Sequence, residues 1–282
     1  MLKSRVLFVA CLCVGLSAAA ALPPEPPPPS PSSTLDEILF HASRYGDTAS
    51  RRDAKAAAKA ELMRRGVPAL GYLVERAGSE NPWFYIYARE MLPGVPTNAA
   101  AETLLGLLSH PTNEVRKTAV FLLGFLNTPE HAPKVRPLLK DEDSAGAAIR
   151  TLGKWRDRDS LDAILPHMAS DKEGRRIQAA VALGELGDAR ALGPLIAALA
   201  DPVFTVRNAA QKSLLMLPRE AAGAALLDAW PVMGATARRQ AIRILGEIRW
   251  EPARERLVEA AADTQPGLRD DAAAALTALA AP

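Results

Sequence analysis

The sequence predicts an all-α fold, a right-handed α-α superhelix of about eight stacked helical hairpins. Three observations point to it. Arginine recurs at Arg176, Arg207, Arg238 and Arg269, each 31 residues after the last, and Arg116 lies 60 residues before Arg176. Three residues after each of these frame positions stands an alanine. Seven residues after stands a leucine, in every copy but the first. A period of this length marks a repeat architecture, in which a unit buries its apolar faces only by stacking on its neighbours.

Taken in order, the first copy is framed on Ala54, within the basic stretch RRDAKAAAKAELMRR, and the second on Tyr85, within NPWFYIYARE. The third is at Arg116, and the 60-residue gap to Arg176 hides a fourth at Ala145, where the arginine is absent and the hairpin shorter. The last four arginines complete the eight. The frame alanines are Ala57, Ala88, Ala119, Ala148, Ala179, Ala210, Ala241 and Ala272. The leucines are Leu92, Leu123, Leu152, Leu183, Leu214, Leu245 and Leu276, with Glu61 in the first copy. This spacing puts the apolar positions on one helical face. Twelve residues upstream, a second apolar helix is marked by Leu73, Leu104, Ile164, Leu195, Leu226 and Leu257, with turn formers such as SHPTNE and ADPVFT between the two. Gly124, Gly153, Gly184 and Gly246 recur at one position of the second helix. A helical glycine costs about 1 kcal/mol relative to alanine, so its recurrence there implies close helix approach.

The chain divides into residues 1–21, 22–33 and 34–282. Lys3 and Arg5, the apolar run from Val6 to Leu16 and the small residues ending near Ala21 form a signal-peptide pattern, with cleavage near Ala21. The apolar run is short for a transmembrane helix, and retention as an anchor is the alternative. Pro23 to Ser33 is a proline-rich linker, and the solenoid follows. The expected destination is the periplasm or the exterior. Both cysteines, Cys11 and Cys13, lie in the leader, so the exported chain has no thiol chemistry. Without Lys3 and Arg5, the 34 basic and 32 acidic residues become 32 of each, a balance that argues against bulk nucleic-acid binding.

The run LGELGDARALGPLIAALADPVFTVRNAA, from Leu183 to Ala210, with its LG, GD, PL, DP and VR signatures, resembles the HEAT-like repeats named after phycobilin lyases. The resemblance implies an armadillo-like α-solenoid. It also implies a polar ladder between units, made by the turn aspartate and the arginine of the second helix. The members are Arg116, Asp171, Arg176, Asp201, Arg207, Arg238, Asp263 and Arg269, with Asp201 matched to Arg207 and Asp263 to Arg269 at six residues and Asp171 to Arg176 at five. A guanidinium suits fork-like pairing with carboxylates.

No catalytic or cofactor constellation is present. The four histidines, His41, His110, His131 and His167, lack metal-ligand spacing, and the His-Glu pairs of the iron-dependent hydroxylases built from similar repeats are missing. No GxSxG, P-loop or GxGxxG occurs, and Asp141, Glu142 and Asp143 read as a solvated turn. The expected role is a non-catalytic scaffold that binds a partner protein or peptide, without cofactor or metal, along a concave face of the second helices. That stripe holds eight basic and four acidic residues; its candidate groove is Lys117, Phe121, Phe125, Arg150, Lys154, Lys212, Arg239 and Arg243. A second candidate is the aromatic patch of Trp83, Tyr85 and Tyr87. Rival readings are a chromophore-lyase-like enzyme or chaperone subunit, which an export signal disfavours, and a nucleic-acid-binding helical-repeat protein. Membrane contact would come through the N-terminal segment.

Overall fold

The apolar period becomes sixteen α-helices, paired into eight hairpins, among the residues that this computed structural model describes: 30, 32–42, 49–76 and 83–280. The leader expected over 1–21 and most of the proline-rich stretch lie outside them. The hairpins are α1 (Leu35–Ala42) with α2 (Ala49–Arg65), α3 (Val67–Glu75) with α4 (Trp83–Met91), α5 (Thr97–Gly106) with α6 (Asn113–Leu123), and α7 (Ala132–Val135) with α8 (Ala145–Lys154). Then come α9 (Leu161–Ile164) with α10 (Glu173–Leu186), α11 (Leu192–Ala198) with α12 (Phe204–Met216), α13 (Arg219–Ala229) with α14 (Ala235–Glu247), and α15 (Arg254–Ala261) with α16 (Pro266–Ala280). Thr34 opens α1 with a reciprocal cap: its Oγ1 accepts from the Glu37 N–H, and Glu37 Oε2 accepts from the Thr34 N–H. Several first helices are short and flanked by 3-10 turns, as at Arg136–Lys140 and Leu165–Ala169. Pro137 and Pro166 sit there, and a proline withholds the N–H that an α-helical turn requires.

Burial follows the frame. Ala88, Ala119, Ala148, Ala179, Ala210, Ala241 and Ala272 are fully buried, as are the first-helix markers Leu73, Leu104, Ile164, Leu195, Leu226 and Leu257. The first copy is shifted by one residue: Ala58 and Leu62 fill the core slots that the frame on Ala54 gave to Ala57 and Glu61. Its true frame residue is therefore Lys55. Glu61 is buried beside Leu62, and hydrogen bonds from Arg64 and Arg65 hold its carboxyl down to about 2.

The ladder joins neighbouring units, but through other pairs than the spacing assigned. Each ladder arginine is the fourth residue of its helix. Helical side chains lean toward the N-terminus, so the guanidinium folds back over its own turn. Nη1 of Arg116 donates to the carbonyls of His110 and Pro111, that of Arg176 to Ser170 and Asp171, and that of Arg207 to Asp201 and Pro202. The carboxylates come from the next unit, 25 residues on: Arg116 Nη2 reaches Asp141 at 2.9 Å, and Arg176 reaches Asp201 through Nε at 2.8 Å and Nη2 at 3.2 Å. Asp201 is thus not matched to Arg207, nor Asp171 to Arg176, by its carboxylate. The turn carbonyls lie closer at five and six residues. Asp263 accepts from the Gln265 N–H, and Arg269 turns to Asp270 at 3.6 Å. Asp141, read as part of a solvated turn, is a ladder residue. It accepts from the N–H groups of Ser144 and Asp143 as well as from Arg116, and these bonds, led by Ser144, lower its pKa.

Second helices meet through the recurrent glycines. A Cβ on Gly153 would lie 2.7 Å from Ala182 Cα, one on Gly184 2.7 Å from Ser213 Cβ, and one on Gly246 2.7 Å from Ala275 Cβ. Each glycine faces a small residue of the next unit, so helix axes close to backbone distance. The unit of α12 departs from this, with Leu215 in the glycine slot and Ile244 opposite. Accordingly α12 and α14 touch over much less of their length than α10 and α12, or α14 and α16.

Two outcomes are expected in urea denaturation. Arg176→Ala, which removes charge-assisted bonds from a pair that is nearly buried, should lower stability by about 2–3 kcal/mol, against about 1 for Arg207→Ala, which bonds only carbonyls. Equal losses would deny the inter-unit pair its role. Gly184→Ala should cost about 1–3 kcal/mol through overpacking, whereas Gly106→Ala, exposed and with open space around it, should gain up to about 1 kcal/mol.

Candidate functional site

Stacking at backbone distance places equivalent residues of successive second helices side by side. Along the flank of the second helices this gathers Tyr85 of α4, Phe121 of α6, Phe125 just past its end, and Arg150 and Lys154 of α8, with Tyr85 and Phe121 half-buried against the core. The Tyr85 and Phe121 rings lie 5.4 Å apart, and Phe121 meets Phe125 edge to face at 5.3 Å. Arg150 covers Phe121, its guanidinium 4.4 Å from the ring centroid, and the Lys154 ammonium stands 4.3 Å from that of Phe125. A cation over a ring face is held by the ring quadrupole, by about 0.5–1 kcal/mol where water reaches it. Lys154 Nζ also donates to the Gly124 carbonyl at 3.2 Å.

Glu185 of α10 closes the cluster. Burial pushes its carboxyl up, against the opposing pull of Lys154, Arg150 and Arg156. Burial and then the neighbouring Arg150 charge lower the Lys154 ammonium. Phe125 is 42% exposed and walls a cavity of about 410 Å3 with Arg89, Leu92, Pro93 and Asn127. The stripe therefore offers an uncovered ring, a cavity beside it and two cations whose charge is only partly offset.

The two sequence candidates merge, with one loss. Tyr85 belongs to the stripe through Phe121. Tyr87 leaves the patch: it is buried, and its hydroxyl donates to the Ala42 carbonyl at 2.7 Å, satisfying an acceptor at the end of α1. Trp83 starts α4, and its side chain lies outside the described residues. Lys117 flanks the rings and pairs with Glu114 of its own helix at 3.3 Å. Lys212 is exposed on α12, further along the same face. Arg239 and Arg243 lie on α14, where both bond Asp271 of α16, at 2.9 and 3.1 Å. Asp271 sits one position beyond the stripe and was not anticipated. Among the described residues, no three His, Cys, Asp or Glu gather at metal-binding distance, and no helix is long and apolar enough to cross a membrane.

Truncating the two phenylalanines should separate packing from surface. Phe121→Ser removes a half-buried ring and should cost about 2 kcal/mol, below the ~3–5 of a fully buried one, while Phe125→Ser should stay under about 1 kcal/mol. Thermal denaturation of both variants checks this, and a large loss for Phe125→Ser would make that ring a core residue.

Known proteins resemble the chain as follows. The profile of the HEAT repeats matches residues 70–146 and 140–215, and that of the PBS lyase HEAT-like repeat matches 237–263. No curated protein matches. Among solved structures, Escherichia coli YibA is 14% identical over 84% of this chain and 88% of its own, with a TM-score of 0.54, a likeness of fold alone. The CpcE–CpcF complex of phycocyanin lyase from a Nostoc species is 18% identical over 93% and 92%, with a TM-score of 0.42. Human deoxyhypusine hydroxylase in complex with glycerol is 16% identical over 87% and 95%, with a TM-score of 0.36.

Proposed function

We propose, from the premise that the chain belongs to the HEAT-repeat family, that it is an exported, non-catalytic scaffold that binds a partner protein or peptide along the concave face of its second helices. The observation that carries this reading is the continuous cation–aromatic stripe from Tyr85 through Phe121 and Phe125 to Arg150 and Lys154. Interface energy concentrates in aromatic and arginine anchors that partners desolvate, and cations around them steer acidic segments into register. Phe125, with a cavity at its side, is such an anchor. Export is supported by Lys3, Arg5, the apolar run from Val6 to Leu16 and the small residues up to Ala21. The partner is then a protein of the cell envelope or the exterior.

The test is a crosslinking pull-down from the envelope fraction, with the wild-type protein as bait and the double variant Phe125→Ser with Lys117→Glu as control. Neither change touches the core. A discrete protein captured by the wild type should be lost by about thirtyfold in the variant, the fold-change of a hot spot worth about 2 kcal/mol. Capture that ignores the variant sinks this face as the binding surface.

A further inference from the structure

Gly94, Phe125, Lys154 and Glu185 hold one frame position in four successive units, at steps of 31, 29 and 31 residues. Neighbours in this row touch. The Lys154 ammonium lies 4.3 Å from the centroid of the Phe125 ring, and Glu185 reaches back to α8 at Gly153, where an added Cβ would meet its Oε2 at 2.7 Å. On its other side Phe125 has a glycine for a neighbour. Gly94 closes the 3-10 turn Leu92–Gly94 after α4, and a Cβ built on it would meet nothing within 4 Å. The following unit therefore supplies the ring with a row partner, and the preceding unit supplies none.

The cavity of about 410 Å3 lies on that side. Leu92 and Pro93 wall it from the end of α4, Phe125 and Leu126 from the end of α6, so it sits between two units where a row side chain would stand. Its size is that of a small-ligand site, about 300–1,000 Å3. Arg89 stands at its rim, and no acidic residue lines it. Arg89 is exposed and, among the described residues, meets no carboxylate; Glu90 beside it is taken by Lys59 of α2 at 2.6 Å.

We infer that this cavity receives an aromatic side chain of the partner, set against the bare side of Phe125 in the place that Gly94 leaves open, with an acidic residue next to it on the Arg89 guanidinium. The inference rests on the scaffold reading and deepens it by naming what the stripe recognises. An aromatic occupant is favoured because the exposed wall of the cavity is itself a ring, and rings in tilted or edge-to-face contact attract beyond the area that they bury. The chain already builds its stripe from such pairs, at 5.4 Å for Tyr85 with Phe121 and 5.3 Å for Phe121 with Phe125. The acidic neighbour follows from the charge around the ring: Arg89 on the cavity side, Lys154 on the other, and Arg150 over Phe121. A guanidinium takes a carboxylate in fork geometry. A basic neighbour would meet the same cations, since Glu185, the carboxylate of the row, stands two units away.

The full-length protein would be titrated, by fluorescence anisotropy, with a labelled glycine-serine peptide carrying phenylalanine followed by aspartate. Three further versions replace the phenylalanine by leucine or by alanine, or the aspartate by asparagine. The parent peptide should bind at least about tenfold more tightly than each of them. Gly94→Phe, which supplies a ring from within, should weaken it by about tenfold or more and leave the melting temperature unchanged. Arg89→Glu should erase the preference for aspartate over asparagine and keep that for phenylalanine over alanine. Both positions are exposed, so neither variant disturbs the core. Equal affinity for the four peptides, no binding of any, a leucine version as tight as the parent, or an affinity indifferent to both variants overturns the pocket. Partner capture from the envelope fraction separates this from the scaffold reading. Capture lost with Phe125→Ser and Lys117→Glu, yet kept by Gly94→Phe and Arg89→Glu, would discard the pocket and keep the scaffold; capture untouched by any of these changes sinks both.

Discussion

An arginine clamped onto the carbonyls of its own turn is the contact from which the arrangement of the stack follows. A second helix begins with amides and a positive dipole end, an unfavourable place for a cation. The clamp resolves this by giving the guanidinium the two turn carbonyls, and in the complete units it presents the remaining edge to the next unit. Asp201 shows the economy of the device: its side chain caps the Val203 N–H and binds Arg176, and its carbonyl accepts from Arg207. One residue therefore sets a turn, a helix start and two unit positions. Glycine against alanine or serine then fixes how closely the helices come together.

The face that results is a by-product of that regularity. Helices stacked at backbone distance bring residues of like frame position within contact range, although about 30 positions separate them in sequence, as Phe121 and Arg150 are. The tyrosine stands where a ladder arginine would be, and its ring extends the aromatic row by one unit. Lys154 serves packing and surface together, tied to the Gly124 carbonyl while its ammonium lies over Phe125.

Much of this was legible because the period repeats: the hairpin count, the buried alanines and the close glycine contacts all follow from residues in register. What escaped detection was relational. The partner of Arg176 lies 25 residues away in the next unit, and a carboxylate five or six residues away in its own turn looked the better match. The spacing that joins Arg116 to Asp141 and Arg176 to Asp201 was present in the chain, hidden by the absent arginine at Ala145. The first copy misled by one residue because alanines at both Ala57 and Ala58 satisfy the frame, and burial of Leu62 decides between them. Tyr87 could not be placed from spacing, since its partner is a backbone carbonyl at the end of a different hairpin. Broken first helices were signalled by Pro137 and Pro166, residues that a frame built on arginine does not weigh.

A linear stack transmits load in series, every junction carrying the same tension while extending by its own compliance. The junction between α12 and α14 lacks the glycine contact that stiffens its neighbours. Stretching or bending the array therefore concentrates deformation at that joint, and the two segments on either side move as stiffer arms about it. The curvature of the whole rod is thereby set largely at that one joint.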